Sequence, residues 1–225
     1  MSKILSFGLV CVAILAAGTA NAENVLQGDV QLPANSNESE RATDLFQGDL
    51  GAEIGIGCSN GSGTSGGPND VAVSVTSPLA VPFHISSHYY NIFTNVSPTI
   101  TALTFSVWGG GATPGAIVGQ QAGMDFAVGD HTVAIAPGIC VDSAQFFFGQ
   151  TQPQSTAALR WGLDTSSGGG TTSFILAPGC GLSAWGTMTS IGFAGNWVMA
   201  VSVEDGSCGL PIELKSWGEI KTVWN

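Results

Sequence analysis

The chain has 225 residues, only 9% of them charged, and 16 acidic against five basic residues give it a net charge of −11. A chain this acidic repels phosphate backbones and anionic lipid, which excludes nucleic acid as a partner class. Its 32 glycines exclude an architecture of long helices, because each interior glycine costs about 1 kcal/mol against alanine.

The first element is a leader for export. Lys3 precedes an apolar run from Ile4 to Ala16, too short to span a bilayer, and Ala20-Asn21-Ala22 is a small-x-small cleavage site. Residues 1–22 therefore read as a signal peptide, with the mature chain starting near Glu23. Cys11 lies within the apolar run, but Gly8-Leu9-Val10 before it does not make a lipoprotein cleavage site, so no lipid anchor is expected. Cleavage leaves 203 residues with four basic and 16 acidic side chains, a net −12. No later stretch reaches the ~18 apolar residues of a spanning helix, and the product is expected to be secreted, outside the cell or in a periplasm. Residues 23–44, with "ANSNESER" at their centre, form a polar leader or linker. Leu26-Gln27-Gly28-Asp29-Val30 and Phe46-Gln47-Gly48-Asp49-Leu50 read as two similar strand-turn pieces rather than a repeat architecture.

From about residue 45 to 208 the pattern is short alternating apolar runs broken by Gly, Pro, Asn and Ser. In chain order the strands fall at 71–75, 89–93, 102–107, 115–119, 131–135, 146–148, 158–163, 172–176 and 197–203. Phe146-Phe147-Phe148 is a continuous apolar run, as in a strand covered on both faces. The expected fold is all-β: a two-sheet antiparallel sandwich, jelly-roll-like, with a short C-terminal helix.

Several constellations along these elements carry candidate chemistry. "GTSGGPND" (63–70) resembles the nucleophile loop of trypsin-like proteases around Ser65. All three histidines (His84, His88, His131) lie after it, and neither a buried strand before it nor a helix after it supports a nucleophile elbow; a glycine-rich loop is the expectation. His84 and His88, four apart on a strand, should share a face about 13 Å apart, too far for one metal ion. Asp142 and Asp164, the latter in "GLDTSSGGG" (162–170), are candidate ligands for a structural calcium, though without repeated D-x-D spacing. With Glu204 and Asp205 they are also the carboxylates placed plausibly for glycoside hydrolysis, but no motif surrounds them. Trp108, Trp161, Trp185, Tyr89 and Tyr90 are candidate ligand-binding aromatics, since flat rings stack on sugars; Trp197 reads as core. Cys58, Cys140, Cys180 and Cys208 read as two disulfides, with three pairings open. The tail, 209–225, opens "SWGE" as a capping box, and Trp217, Ile220 and Trp224 share a helical face that must dock on the sandwich or on a partner.

"CSNGSGTSGGPNDVAVSV", "RWGLDTSSGGGTTSF" and "GFAGNWVMAVSVE" together resemble pieces of uncharacterised bacterial secreted proteins with a jelly-roll-like domain. The tail Trp217-Gly218-x-Ile220-Lys221 is similar to short C-terminal endings in such proteins, although this chain ends in Trp224-Asn225 where those endings are basic. The resemblance implies export and a β-sandwich over residues 45–225 and brings no catalytic residues. The expected function is therefore non-catalytic binding or adhesion outside the cell or at its surface, with glycans as candidate partners. The alternatives are a structural subunit of an extracellular assembly and a secreted hydrolase using Ser65 or a carboxylate pair. No cofactor is expected beyond the candidate calcium.

Overall fold

The computed structural model describes residues 28–29, 44–58, 68–95, 102–152, 159–205 and 208. Fourteen β elements follow one another among them. They are β1 (Gly28–Asp29), β2 (Asp44–Phe46), β3 (Ile54–Ile56), β4 (Asn69–Thr76), β5 (Phe83–Asn95), β6 (Thr104–Gly109) and β7 (Ile117–Ala122). Then come β8 (Gly129–Val141), β9 (Gln145–Gln152), β10 (Leu159–Asp164), β11 (Ser173–Ala177), β12 (Leu182–Thr187), β13 (Asn196–Trp197) and β14 (Met199–Asp205). The helical pieces among these residues are single 3-10 turns at Pro178–Cys180 and Thr189–Ile191. Every strand expected from alternation is present. The expected C-terminal helix, the signal peptide and Ser65 lie outside the described residues, and of the 23–44 leader Gly28–Asp29 and Asp44 are described, in β1 and β2.

The strands form two antiparallel sheets. One runs β12-β11-β4-β9-β6-β7; the other runs β1-β3-β10-β5-β14-β2, with β8 on the far side of β5 and β13 on β10. The long strand β5 organises the larger sheet. Along one edge its residues Phe83–Ile92 pair with β8. Along the other, Phe83–Tyr90 pair with β14 and Ile92–Asn95 with β10. Val198 bridges the two, donating its N–H to Gly162 and accepting from Asn91.

One apolar cluster draws on both sheets. Val71, Val73, Val75, Phe105, Val107, Phe146 and Phe148 from the smaller sheet meet Ile54, Ile56, Phe83, Ile85, Tyr90, Ile92, Trp161 and Val201 from the larger. Each such side chain fully buried contributes about 1.5–3 kcal/mol. Period-two alternation explains the choice of residues, since every second side chain of a strand faces the same way. The triple phenylalanine follows the same rule. Phe146 and Phe148 enter the shared core, while Phe147 faces away and joins Ala72, Trp108 and Phe174 in a second cluster.

A β-bulge overturns one expectation. Against β14 the register of β5 shifts between Ile85 and Ser87, so Ser86 is an extra residue there; at the same point the partners on β8 jump from Ile139 to Ala134, and β8 carries the longer excursion. His84 and His88 therefore lie on opposite faces. His84 stays on the outer face beside Glu204, 3.3 Å away, while His88 is fully buried between the sheets. Its ring stacks on Phe105 at 4.3 Å and on Tyr90 at 5.1 Å. The Ala200 carbonyl, 3.1 Å from Nδ1, can only accept, so Nδ1 carries the proton and Nε2 is left as a bare lone pair. Burial holds its pKa down at about 3, against the smaller opposing effect of that hydrogen bond.

The two ends of the core differ. At one end, Phe83 and Phe146 pack at 5.6 Å among Val141 and Val203, and the Cys140–Cys208 disulfide closes the edge, with Cys208 Sγ 3.3 Å from the Phe83 carbonyl oxygen. At the other end amides replace aliphatic side chains. Asn69 Nδ2 donates to the Cys58 carbonyl and to Gln152 Oε1, both at 3.4 Å. One layer further in, Trp161 Nε1 donates to Gln150 Oε1 at 2.6 Å. Gln150 Nε2 and Asn69 Oδ1 are buried without a partner. The Cys58–Cys180 disulfide closes this end.

Candidate functional site

Five strands of the smaller sheet assemble an aromatic face on its outer side. Trp108 of β6 and Trp185 of β12 meet edge-to-face at 5.5 Å, and Phe147 of β9 and Phe174 of β11 meet edge-to-face at 5.4 Å, with Ala72 of β4 among them. Edge-to-face pairs contribute about 0.5–1.5 kcal/mol each beyond the area they bury. Trp108 is 4% exposed, whereas Trp185 is half-buried and completes the patch from the edge hairpin. The neighbouring positions on this side are neutral: Ser74 opposite Phe147 and Thr187 opposite Phe174 are partly exposed, while Ser106, two residues before Trp108, is fully buried. Gln120 Nε2 donates to Ser106 Oγ at 2.8 Å. A flat indole framed by hydroxyls and amides offers dispersion contact and neutral hydrogen bonding, the chemistry that holds a sugar ring.

The other aromatic candidates lie elsewhere. Trp161 and Tyr90 are fully buried in the shared core with their polar atoms engaged, the Tyr90 hydroxyl donating to the Asp125 carbonyl at 2.7 Å. Burial, with the nearby Asp125 charge, pushes the Tyr90 phenol up. Tyr89 faces the opposite way, half-buried beside Phe93, Ala52 and Val198, and donates to Asp130 Oδ1 at 2.9 Å. The structure thus brings together Trp108 and Trp185 and leaves the other three apart. Phe147 and Phe174 complete the patch. The signal that could have found them was alternation itself, which turns the middle residue of a triple Phe outward.

Asp164 and Asp142 are also separated. Asp142 is exposed in the turn after β8, whereas Asp164 is buried at the end of β10. The carboxylates that join Asp164 are Asp49 and Glu53, with one oxygen from each of the three within 4.8 Å of the others. Asp164 is already saturated: it accepts from the Asp49, Ser166 and Ser167 N–H groups and from both serine hydroxyls. Burial pushes its carboxyl up, but the hydrogen bonds from Ser167, Asp49 and Ser166 outweigh it and hold the group below the usual carboxylate range. Glu53 accepts in turn from Thr165. These acids staple the 47–53 loop to the end of β10. Gly48 has a positive φ of 81°, and a Cβ there would overlap the Asp164 carboxylate. The two Gln-Gly-Asp pieces therefore differ: Gly48–Asp49 is a turn, while Gly28–Asp29 is a strand paired with β3.

Each histidine has a described partner: His84 has Glu204, His88 the Ala200 carbonyl, and His131 the Ala127 carbonyl at 2.9 Å. The cysteines pair as Cys58–Cys180 and Cys140–Cys208, which resolves the three pairings the sequence left open. Trp217, Ile220 and Trp224 lie outside the described residues. No described helix is long and apolar enough to cross a membrane. Comparison with protein-family models, with curated proteins and with solved structures finds no match.

Proposed function

We propose that the chain is an exported, non-catalytic β-sandwich of jelly-roll type that binds neutral glycans outside the cell through its outer aromatic face. The observation that carries this reading is Trp185, half-exposed and seated edge-to-face on Trp108 among neutral hydroxyls and amides. Two disulfides and a weakly charged, acidic chain accord with life outside the cytoplasm. A glycan array probed with the mature protein tests it: neutral glycans are expected to be retained, and Trp185→Ala to lose them. An array without signal, or an unaffected Trp185→Ala variant, overturns the reading.

The edge strand β7 favours a second reading, a subunit of an extracellular assembly. Ile117 and Val118 at its start are 55% and 41% exposed, and an exposed apolar strand edge is a template for pairing with another chain. Sedimentation of the mature protein distinguishes the two: an oligomer dissolved by Val118→Lys supports assembly, and a strict monomer removes it.

A further inference from the structure

The outer face of the larger sheet, at the polar end of the core, holds a lone cation. Arg160 is the single Lys or Arg among the described residues. Its neighbours Leu159 and Trp161 enter the shared core, so alternation turns Arg160 outward. Even so, it is only 9% exposed. The ion pairs among the described residues are His84–Glu204 and His131–Asp125; Arg160 belongs to neither, and no hydrogen bond to a described residue holds its guanidinium. Burial lowers its pKa. No nitrogen of Arg160 is among the buried atoms that lack a partner, so the covered part is the stem and the guanidinium keeps contact with solvent, where a ligand can reach it.

Directly opposite Arg160 in the ladder is Thr94 of β5, whose Oγ1 is buried and also without a partner. The bulge at this point, between Arg160 and Trp161 in the register against β5, sets the two side by side. On the other flank Gly57 approaches so closely that a Cβ there would overlap the Leu159 carbonyl and lie 3.2 Å from Arg160 Cα.

We propose that Arg160 and Thr94 form a site for one carboxylate group of a ligand, separate from the aromatic face and on the opposite sheet. The guanidinium fork matches a planar carboxylate with two parallel N–H···O bonds, and the threonine hydroxyl supplies a third donor. A monoanion fits better than a phosphate or a sulfated polymer, because no second described cation stands by to neutralise further charge and the chain as a whole is acidic. The carboxylate belongs either to a free organic acid or to a uronic-acid unit of a glycan.

Titration calorimetry of the disulfide-bonded mature protein with acetate, glucuronate, glucose and inorganic phosphate tests the site. Acetate and glucuronate should bind, and glucose should not compete for them. Glucuronate binding more tightly than acetate assigns the group to a sugar, and equal affinities assign it to a free acid. Arg160→Lys, which keeps the charge but loses the fork, should weaken both by about tenfold or more; Thr94→Val should weaken them less. Trp185→Ala should leave acetate binding unchanged, so failure of the aromatic reading and failure of this one are separable. Should Arg160→Lys not fold, the Nε chemical shift of Arg160 in the native protein, followed during acetate titration, gives the same readout. No carboxylate binding by the folded protein, unchanged affinity in Arg160→Lys, or a crystal structure in which a carboxylate of the chain itself occupies the fork overturns the proposal.

Discussion

The two ends of the core are closed in the same way and filled in opposite ways. Each has one disulfide. Under the Cys140–Cys208 bridge lie Phe83, Phe146, Val141 and Val203; under the Cys58–Cys180 bridge lie Asn69, Gln150 and Gln152. Beneath its bridge the apolar end is filled by side chains stabilised by burial. The polar end must satisfy its polar side chains, and it does so incompletely, since Asn69 Oδ1 and Gln150 Nε2 inside it and the Thr94 hydroxyl on its outer face lack partners. Asp70, one residue along from Asn69, belongs to the same end: burial pushes its carboxyl up against a hydrogen bond from Thr151. Buried polar atoms are ordinarily bonded, so an end that leaves several bare has given up stability. Arg160 sits on the outside of that same end. A polar interior beside a cation that has no ion pair among the described residues is where this fold departs most from simple packing, and such departures are expected at sites of function.

Removing the disulfides sharpens the comparison most. The bridges span 122 and 68 residues, and loop-closure entropy assigns about 4–5 kcal/mol to each, the longer slightly more. Cys58→Ala/Cys180→Ala and Cys140→Ala/Cys208→Ala should both lower the denaturant midpoint steeply. If the polar end is the softer one, hydrogen exchange in the first variant spreads furthest along β4 and β9.

Phe146→Ala should cost about 3–5 kcal/mol by leaving a cavity at the apolar end, measured by urea unfolding. Loss below 1 kcal/mol would break the idea that this end is held by packing.

His88 lies between the ends and predicts a pH dependence. Its folded pKa is about 3 against 6.5 for a free histidine, so the unfolded chain binds the proton first as pH falls. The stability from keeping it neutral is complete above pH 6.5 and declines by about 1.4 kcal/mol per pH unit from there toward pH 3. His88→Phe, in a cage that already holds Phe105, Phe148 and Tyr90, should flatten the profile between pH 6.5 and 4.

The smallest effect belongs to the polar end. Gln150→Leu removes a bare amide nitrogen but strips Trp161 Nε1 of its acceptor, and the two changes should leave a net loss of about 1–2 kcal/mol. A larger loss would mean that the amide layer is as tightly held as the phenylalanines opposite it.

Much of the fold was legible in the residues and much of the site was not. Val71, Val73 and Val75, Phe105 and Val107, and Val201 and Val203 declared their strands, because alternation is a local property that any pleated backbone must express. The short strands β2, β3 and β12 carried no such run, and they form because a neighbouring edge was there to pair with. His84 and His88 show where local periodicity stops: a single extra residue at Ser86 reversed one of them, and no propensity marks a bulge. The aromatic candidates divided in the same way. Trp161, Trp185 and Trp108 look alike in their glycine-rich settings, and only the packing of one sheet against the other buried the first and joined the other two.

The amino-acid sequence by itself therefore determined that the body of the chain is β, acidic, poor in charge and supplied with four cysteines for two bridges, since composition and period-two patterning act within a few residues. Tertiary structure decided which cysteines meet, that Asp49 and Glu53 rather than Asp142 stand beside Asp164, and that Arg160 has Thr94 opposite it and no ion pair with a described carboxylate. Those relations join residues tens of positions apart. They follow from strand order and register, which emerge only when both sheets bury their inner faces together.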